Sequence, residues 1–391
     1  MTNHSKNITW ILTIGAFFAF LVFGFSDNLK GPILPALLQD LHFNYSLGGT
    51  ILLGIYLGFM AATLTTGFLA DAFGQKLVLI LAGISLIIGV VGFTTFSLPL
   101  LLTISMTFLG FGMGCLELGC NALIVNLHSA DKGRFLNLMA VNHGLGSMIA
   151  PLYAGWLLSS NTSWRTVYRW DLVPIALMIL YFAIVRFPKD ENAKSDKLDF
   201  KKLGKSAFTP ELIGYFLAIT LYVATEIGIA SWIVEFLQKT HGQSVNQSTQ
   251  ALSLFFGLIM LGRFVGSFFV EKFGYLRSIL FAVLGACACI AIGLFGPAQL
   301  SLLLPGSGFF LSIIFPTITA SVSNAHLKNT NSILGLLFTF GGLGGVIGPW
   351  LVGIASDLGG IKFGFSLNLV FGLLTATIIF ILLRYKSNSP A

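Results

Sequence analysis

A chain of 391 residues that is 55% hydrophobic and 9% charged, with a mean hydropathy of +0.87, lies far from soluble domains, in which about a quarter of residues are charged. Its apolar residues gather in runs of about 20, the helical length that crosses a hydrocarbon core of roughly 30 Å, whereas a membrane β-barrel would show short alternating segments. The net charge of +7 fits basic loops on one membrane face better than a nucleic-acid partner, and the composition predicts an all-α membrane protein.

In chain order, apolar runs bounded by charges, Pro or Asn predict twelve transmembrane helices. The first covers 8–38 and is interrupted by Asp27, Lys30, Pro32 and Pro35. Its flanks and the following span argue against a cleaved signal peptide. Five more follow at 47–69, 77–96, 100–127, 135–158 and 167–187. After a polar stretch, six others are expected at 211–238, 248–270, 277–295, 300–325, 332–355 and 363–383. The predicted domains are an N-terminal six-helix half (1–187), a cytoplasmic linker (188–207) and a C-terminal six-helix half (208–391).

Charge supports that arrangement. Sixteen of the 22 Lys and Arg residues fall in the even-numbered loops and the termini, against four in the odd-numbered loops. The positive-inside bias therefore predicts that the linker and both termini are cytoplasmic. A short repeat also relates the halves: GFLADAFGQK (67–76) after the second span is echoed by SFFVEKFGYLR (267–277) after the eighth. Such internal repeats are common in secondary transporters. Cys115, Cys120, Cys287 and Cys289 lie within apolar runs and read as small packing residues, neither disulfide nor metal-binding.

The loop GFLADAFGQK, with Gly67, Asp71, Gly74 and Lys76, resembles the G-x-x-x-D-x-x-G-x-K/R motif of the major facilitator superfamily. It departs from that motif in carrying Ala72 and Gln75 where cations are common. The resemblance implies a major facilitator fold in which these residues, with Glu271 and Arg263, form a conformational latch at the cytoplasmic ends. Arg263 is expected to pair with helix-end carbonyls or a latch acid, away from substrate.

Several spans resemble the fucose–hexose–proton symporter family more narrowly. They are GFSDNLKGPILP (24–35), GMGCLELGCN (112–121), RFLNLMAVNHGLGSMIAPLYAG (134–155), LYVATEIGIASWIVEF (221–236), FFLSIIFPTITAS (309–321) and GGLGGVIGPWLVGIASD (341–357). This resemblance implies a secondary transporter of a sugar or similar small solute, commonly driven by protons. Two positions of the family's site differ here: Gly31 stands in place of an Asp, with the acid one turn earlier at Asp27, and His143 replaces an Asn.

Within the spans, three acids draw attention because a charge at membrane depth costs several kcal/mol unless it is paired, protonated or faces water. Asp27 lies three residues from Lys30, so the two form either a static ion pair or one that opens during transport, with Asn28 beside them. Glu117 and Asn121 share a face of the fourth span; the carboxyl is either a neutral group bonded to Asn121 or the coupling acid in a water-filled cavity. Tyr222 and Glu226 share a face of the seventh. The expected proton-coupling residues are thus Glu117, Glu226 and Asp27. The expected substrate contacts are Asn28, Lys30, Asn121, Asn142, His143, Tyr222 and Trp232. Trp232 is open between a sugar platform and an interfacial anchor, and Glu235 is expected to be solvated.

The GGLGG of the eleventh span follows no strand and precedes no P-loop Lys, so it is not a phosphate cradle. No metalloprotease, serine-hydrolase or acyltransferase pattern is present, and no enzyme is predicted. No cofactor is expected, since an ion or solute gradient would drive the chain. The leading reading is proton-coupled symport of a hexose-like solute, with sodium as a possible coupling ion. The alternative is a proton-driven exporter of lipophilic or cationic compounds, suggested by 37 Phe residues and an acid in the first span. The expected partners are a small-molecule substrate and the lipid bilayer, with no nucleic acid; a monomer in the plasma (inner) membrane is predicted.

Overall fold

The computed structural model describes residues 3–187, 209–325 and 330–388. Among them every regular element is a helix, as expected where lipid supplies no hydrogen bonds to the backbone. Ten helical segments are long and apolar enough to cross a bilayer. Helix α6 (Lys132–Ser159) has the length to span but is not among those ten, because polar residues such as Asn137, Asn142 and His143 interrupt its apolar character. The expected linker, 188–207, lies outside the described residues.

The chain forms two compact units, residues 1–43 with 50–196, and residues 44–49 with 197–391. In the first, the predicted opening span is broken at Leu29 into α1 (Asn3–Asn28) and α2 (Lys30–Asp40). The remaining helices are α3 (Tyr45–Phe73), α4 (Gln75–Thr95), α5 (Pro99–Leu127), α6, α7 (Trp164–Arg169) and α8 (Leu172–Ile184). Pro99 opens α5, where a missing N–H costs nothing. Helix α1 packs on α6, and α4 on α5. At the first of these crossings, Gly24 and Gly146 let the two backbones meet so closely that a Cβ at either position would clash with backbone atoms of the facing helix.

The second unit contains α9 (Pro210–His241), α10 (Val245–Gly266), α11 (Val270–Phe273) and α12 (Tyr275–Phe295). A 3₁₀ segment (Ala298–Gly306), α13 (Ser307–Leu311), α14 (Ile314–Ala325) and α15 (Thr330–Asn388) complete it. Ser244 and Gln247 form a reciprocal capping box at the start of α10, and Gly242 (φ 64°) closes α9 in the left-handed conformation. Helix α9 runs against α15. Segment 44–49, at the start of α3, groups with this unit: the Asp357 carboxylate accepts the N–H groups of Tyr45 (2.8 Å) and Ser46 (2.9 Å). That caps the first turn of α3 with a negative charge.

The repeat noted in the sequence has a conformational counterpart. Gly74 (φ 80°, ψ 158°) separates α3 from α4, and Gly274 (φ 82°, ψ 143°) separates α11 from α12. Gly360 (φ 80°, ψ 166°) breaks α15 in the same way, between the stretches expected as the last two spans. This region of backbone space is open essentially to glycine alone.

Candidate functional site

In the first unit the break between α1 and α2 places charge inside apolar surroundings. Lys30 is 3% exposed and Asp27 18%. The Lys30 ammonium donates to the Asp27 carboxylate and, at 2.8 Å, to the Asp27 main-chain oxygen, and it lies 5.6 Å from the Tyr56 ring centroid. The interruption of the helix makes this possible, since it leaves the Asp27 carbonyl free to accept from a side chain. Glu117, half-buried on α5, feels Asp27 as its neighbouring charge. Two carboxylates and one ammonium therefore share one locality. With both acids ionised the group carries one net negative charge, and one proton neutralises it.

The other residues expected beside this cluster have mixed placements. Asn121 lies one turn beyond Glu117, but among the described residues no hydrogen bond joins them. Asn28 is buried and its amide donates to Gly24 O and to Ser147 Oγ, both at 2.9 Å, while Ser147 donates to His143 O at 2.9 Å. Asn28 thus ties α1 to α6 instead of presenting its amide to a ligand. Asn142 donates to Leu138 O in its own helix at 2.9 Å. His143 presents its ring to Phe23, edge to face at 4.6 Å between centroids, with Phe20 beyond.

In the second unit, Tyr222 on α9 donates its hydroxyl to the Glu226 carboxylate, as the i, i+4 spacing predicted. Arg263 makes no hydrogen bond to a latch acid or helix-end carbonyl among the described residues. It is exposed in the last turn of α10 and forms no ion pair among the described residues, with Tyr222 and Glu226 the groups on α9 that feel its charge.

Two further expectations on α9 are corrected. Trp232 is fully buried, donates Nε1–H to Pro349 O at 2.9 Å and packs edge-on to Tyr45, so it is neither an interfacial anchor nor an exposed platform. Glu235 is 3% exposed and accepts from the Tyr45 hydroxyl at 3.1 Å, not solvated as expected. In both cases α15 and the start of α3 cover a face that the sequence of α9 alone leaves open.

Of the expected latch residues, Gly67, Asp71 and Glu271 are exposed, and Gly74 sits at its helix junction. Lys76 donates to Ala183 O (2.7 Å) and Val185 O (3.0 Å) at the end of α8. Sequence reasoning overlooked Asp171, which is wholly buried beside Ser26 where α7 meets α8. Its position two residues after Arg169 resembles a loop; only its inclusion in the apolar run from 167 gave a contrary indication. Among the described residues, no group of three or more His, Cys, Asp or Glu is arranged to hold a metal.

The comparisons bear on the whole chain. A glucose/galactose transporter from Brucella abortus biovar 1 (strain 9-941) is 24% identical over 392 residues, spanning 94% of this chain and 93% of that protein. The TsgA homolog of Yersinia enterocolitica is 22% identical over 351 residues, spanning 88% of this chain and 87% of the relative. Among solved structures, that of a D-xylose–proton symporter covers 95% of this chain and 97% of its own at TM-score 0.76 and 16% identity. The E. coli fucose:proton symporter FucP gives 0.65 at 20% identity, covering 96% and 98%, and the nucleoside transporter NupG 0.80 at 14%, covering 98% and 100%. At these identities the structural likeness establishes the fold. The Major Facilitator Superfamily profile matches residues 16–326 and 216–391, and the chain belongs to that superfamily of transporters.

Proposed function

We propose that this protein crosses the plasma (inner) membrane twelve times, with both termini cytoplasmic, and imports a sugar or similar small polar solute by proton-coupled alternating access. The twelve crossings count α6 as a span and divide α15 at Gly360. The glucose/galactose transporter among the relatives supports a hexose-like substrate. The observation that carries proton coupling is the net charge of the first cluster. Asp27, Lys30 and Glu117 hold one negative charge that a proton can cancel. An uncompensated charge at membrane depth is unfavourable, so proton uptake by the first cluster accompanies its inward-directed step.

In this reading Glu117 carries the proton, beside the Asp27–Lys30 pair. In the first unit Lys30, Asn121 and His143, and in the second unit Tyr222 and Glu226, each carry donors or acceptors suited to sugar hydroxyls. The protein acts as a monomer, without a cofactor. Proteoliposomes with a weak pH buffer outside test this. Addition of glucose or galactose should alkalinise the external medium under sodium-free conditions. Sugar uptake that leaves external pH unchanged and requires a sodium jump would assign coupling to Na⁺.

A further inference from the structure

The basic residue of the repeated loop is used differently in the two units. Lys76 places its ammonium on the last carbonyls of α8, a favourable position for a cation at a helix C-terminus. Arg277, three residues past Gly274, is exposed and makes no hydrogen bond or ion pair among the described residues. It instead lines a cavity of about 410 Å³ bounded by α10, α11, α12 and α13.

The walls of this cavity are unlike a sugar site. Five rings line it, including Phe269, Phe273 and Phe281, and in one wall Ile313 packs directly against Gly266 of α10. Apart from Arg277, its only polar side chain is Ser278, whose hydroxyl already donates to Val270 O at 3.4 Å. Phe273 is 64% exposed and Phe281 72%, so the cavity is an open groove. Glu271 does not line it. An apolar groove with one unpaired guanidinium complements an amphiphile with a hydrocarbon tail and an anionic head. A guanidinium also matches phosphate oxygens in a bidentate fashion.

We infer that this groove holds an acyl chain of an anionic phospholipid whose phosphate is bound by Arg277. The proposed orientation puts Arg277 at the cytoplasmic leaflet, where anionic lipids meet basic residues. Binding itself does not depend on that orientation or on the sugar reading.

The test is native mass spectrometry of the full chain in detergent with equal amounts of phosphatidylglycerol and phosphatidylcholine of matched chains. A single basic contact predicts a preference for phosphatidylglycerol of about fivefold in the unsubstituted protein. Arg277→Gln should bring the ratio close to one and Arg277→Lys should restore most of it. Arg186→Gln, which removes an exposed cation far along the sequence from the groove, should leave it unchanged. Equal ratios for the unsubstituted protein and Arg277→Gln would overturn the inference, as would an equal loss in Arg186→Gln, which would mean diffuse surface charge. A dimer that excludes both lipids would assign the groove to a second copy.

Discussion

Asp27→Asn should destabilise the protein sharply, and Lys30→Met should reverse most of that loss. In the native protein the Lys30 ammonium is 3% exposed and has the Asp27 carboxylate as its ion-pair partner. Neutralising that partner leaves a buried charge held only by the Asp27 main-chain oxygen at 2.8 Å and the Tyr56 ring. Breaking one side of a buried pair costs about 3–5 kcal/mol. Because the two remaining contacts survive in the variant, the lower end, about 3 kcal/mol, is expected. For a compact unit of this size that corresponds to a fall in unfolding midpoint of about 6–12 °C. Lys30→Met alone should cost less, because Asp27 is 18% exposed and reaches water more easily. The double variant should return to within about 1 kcal/mol of the starting protein, since an apolar pair can replace a buried ion pair. Thermal unfolding of the four purified proteins in one detergent completes the cycle. A double variant as unstable as Asp27→Asn would refute the idea that an unpaired Lys30 charge causes the loss.

Three other expectations use the same assay. Gly74→Ala and Gly274→Ala should each cost about 1–3 kcal/mol, although no atom within 4 Å obstructs a Cβ, because φ is 80° and 82° at those positions. Gly67→Ala, in the interior of α3 with equally open space, should gain up to about 1 kcal/mol from helix propensity; a loss there would point to a contact not made by the resting fold. His128, just past α5, accepts or donates at 2.7 Å to the Thr13 hydroxyl and stacks on Phe135. Burial lowers its pKa below the ordinary imidazole value, against a smaller opposing effect of Asp131. The unfolded chain therefore binds that proton first as the medium is acidified. The stability His128 contributes is present above about pH 6.5 and is lost as pH falls through its folded-state value. His128→Gln should flatten the difference in midpoint between pH 7.5 and 5.5; an undiminished difference would exclude His128 as its source.

Much of the fold was legible because lipid imposes long apolar runs and leaves few places for charge. The break at Leu29 followed from Asp27, Lys30 and two prolines, and the repeated Gly74 and Gly274 prove to share one backbone conformation. Pairings within one helix, such as Tyr222 with Glu226, were also readable from spacing. What one sequence cannot give is which neighbouring helix covers a given face. Trp232 and Glu235 looked peripheral until α15 and Tyr45 were seen to enclose them. Asp171 went unnoticed because nothing in the run 167–187 shows that Ser26 of another helix lies beside it. Asn28 was read as a ligand contact, but the amide is taken up by the close α1–α6 crossing.

The central claim is that a proton on Glu117 powers solute accumulation, and Glu117→Gln separates that step from solute movement itself. The amide mimics the protonated carboxyl but cannot release a proton. The variant should exchange labelled sugar across proteoliposomes by counterflow, yet fail to concentrate it under an imposed pH gradient. A Glu117→Gln protein that still accumulates sugar against its gradient would contradict the account.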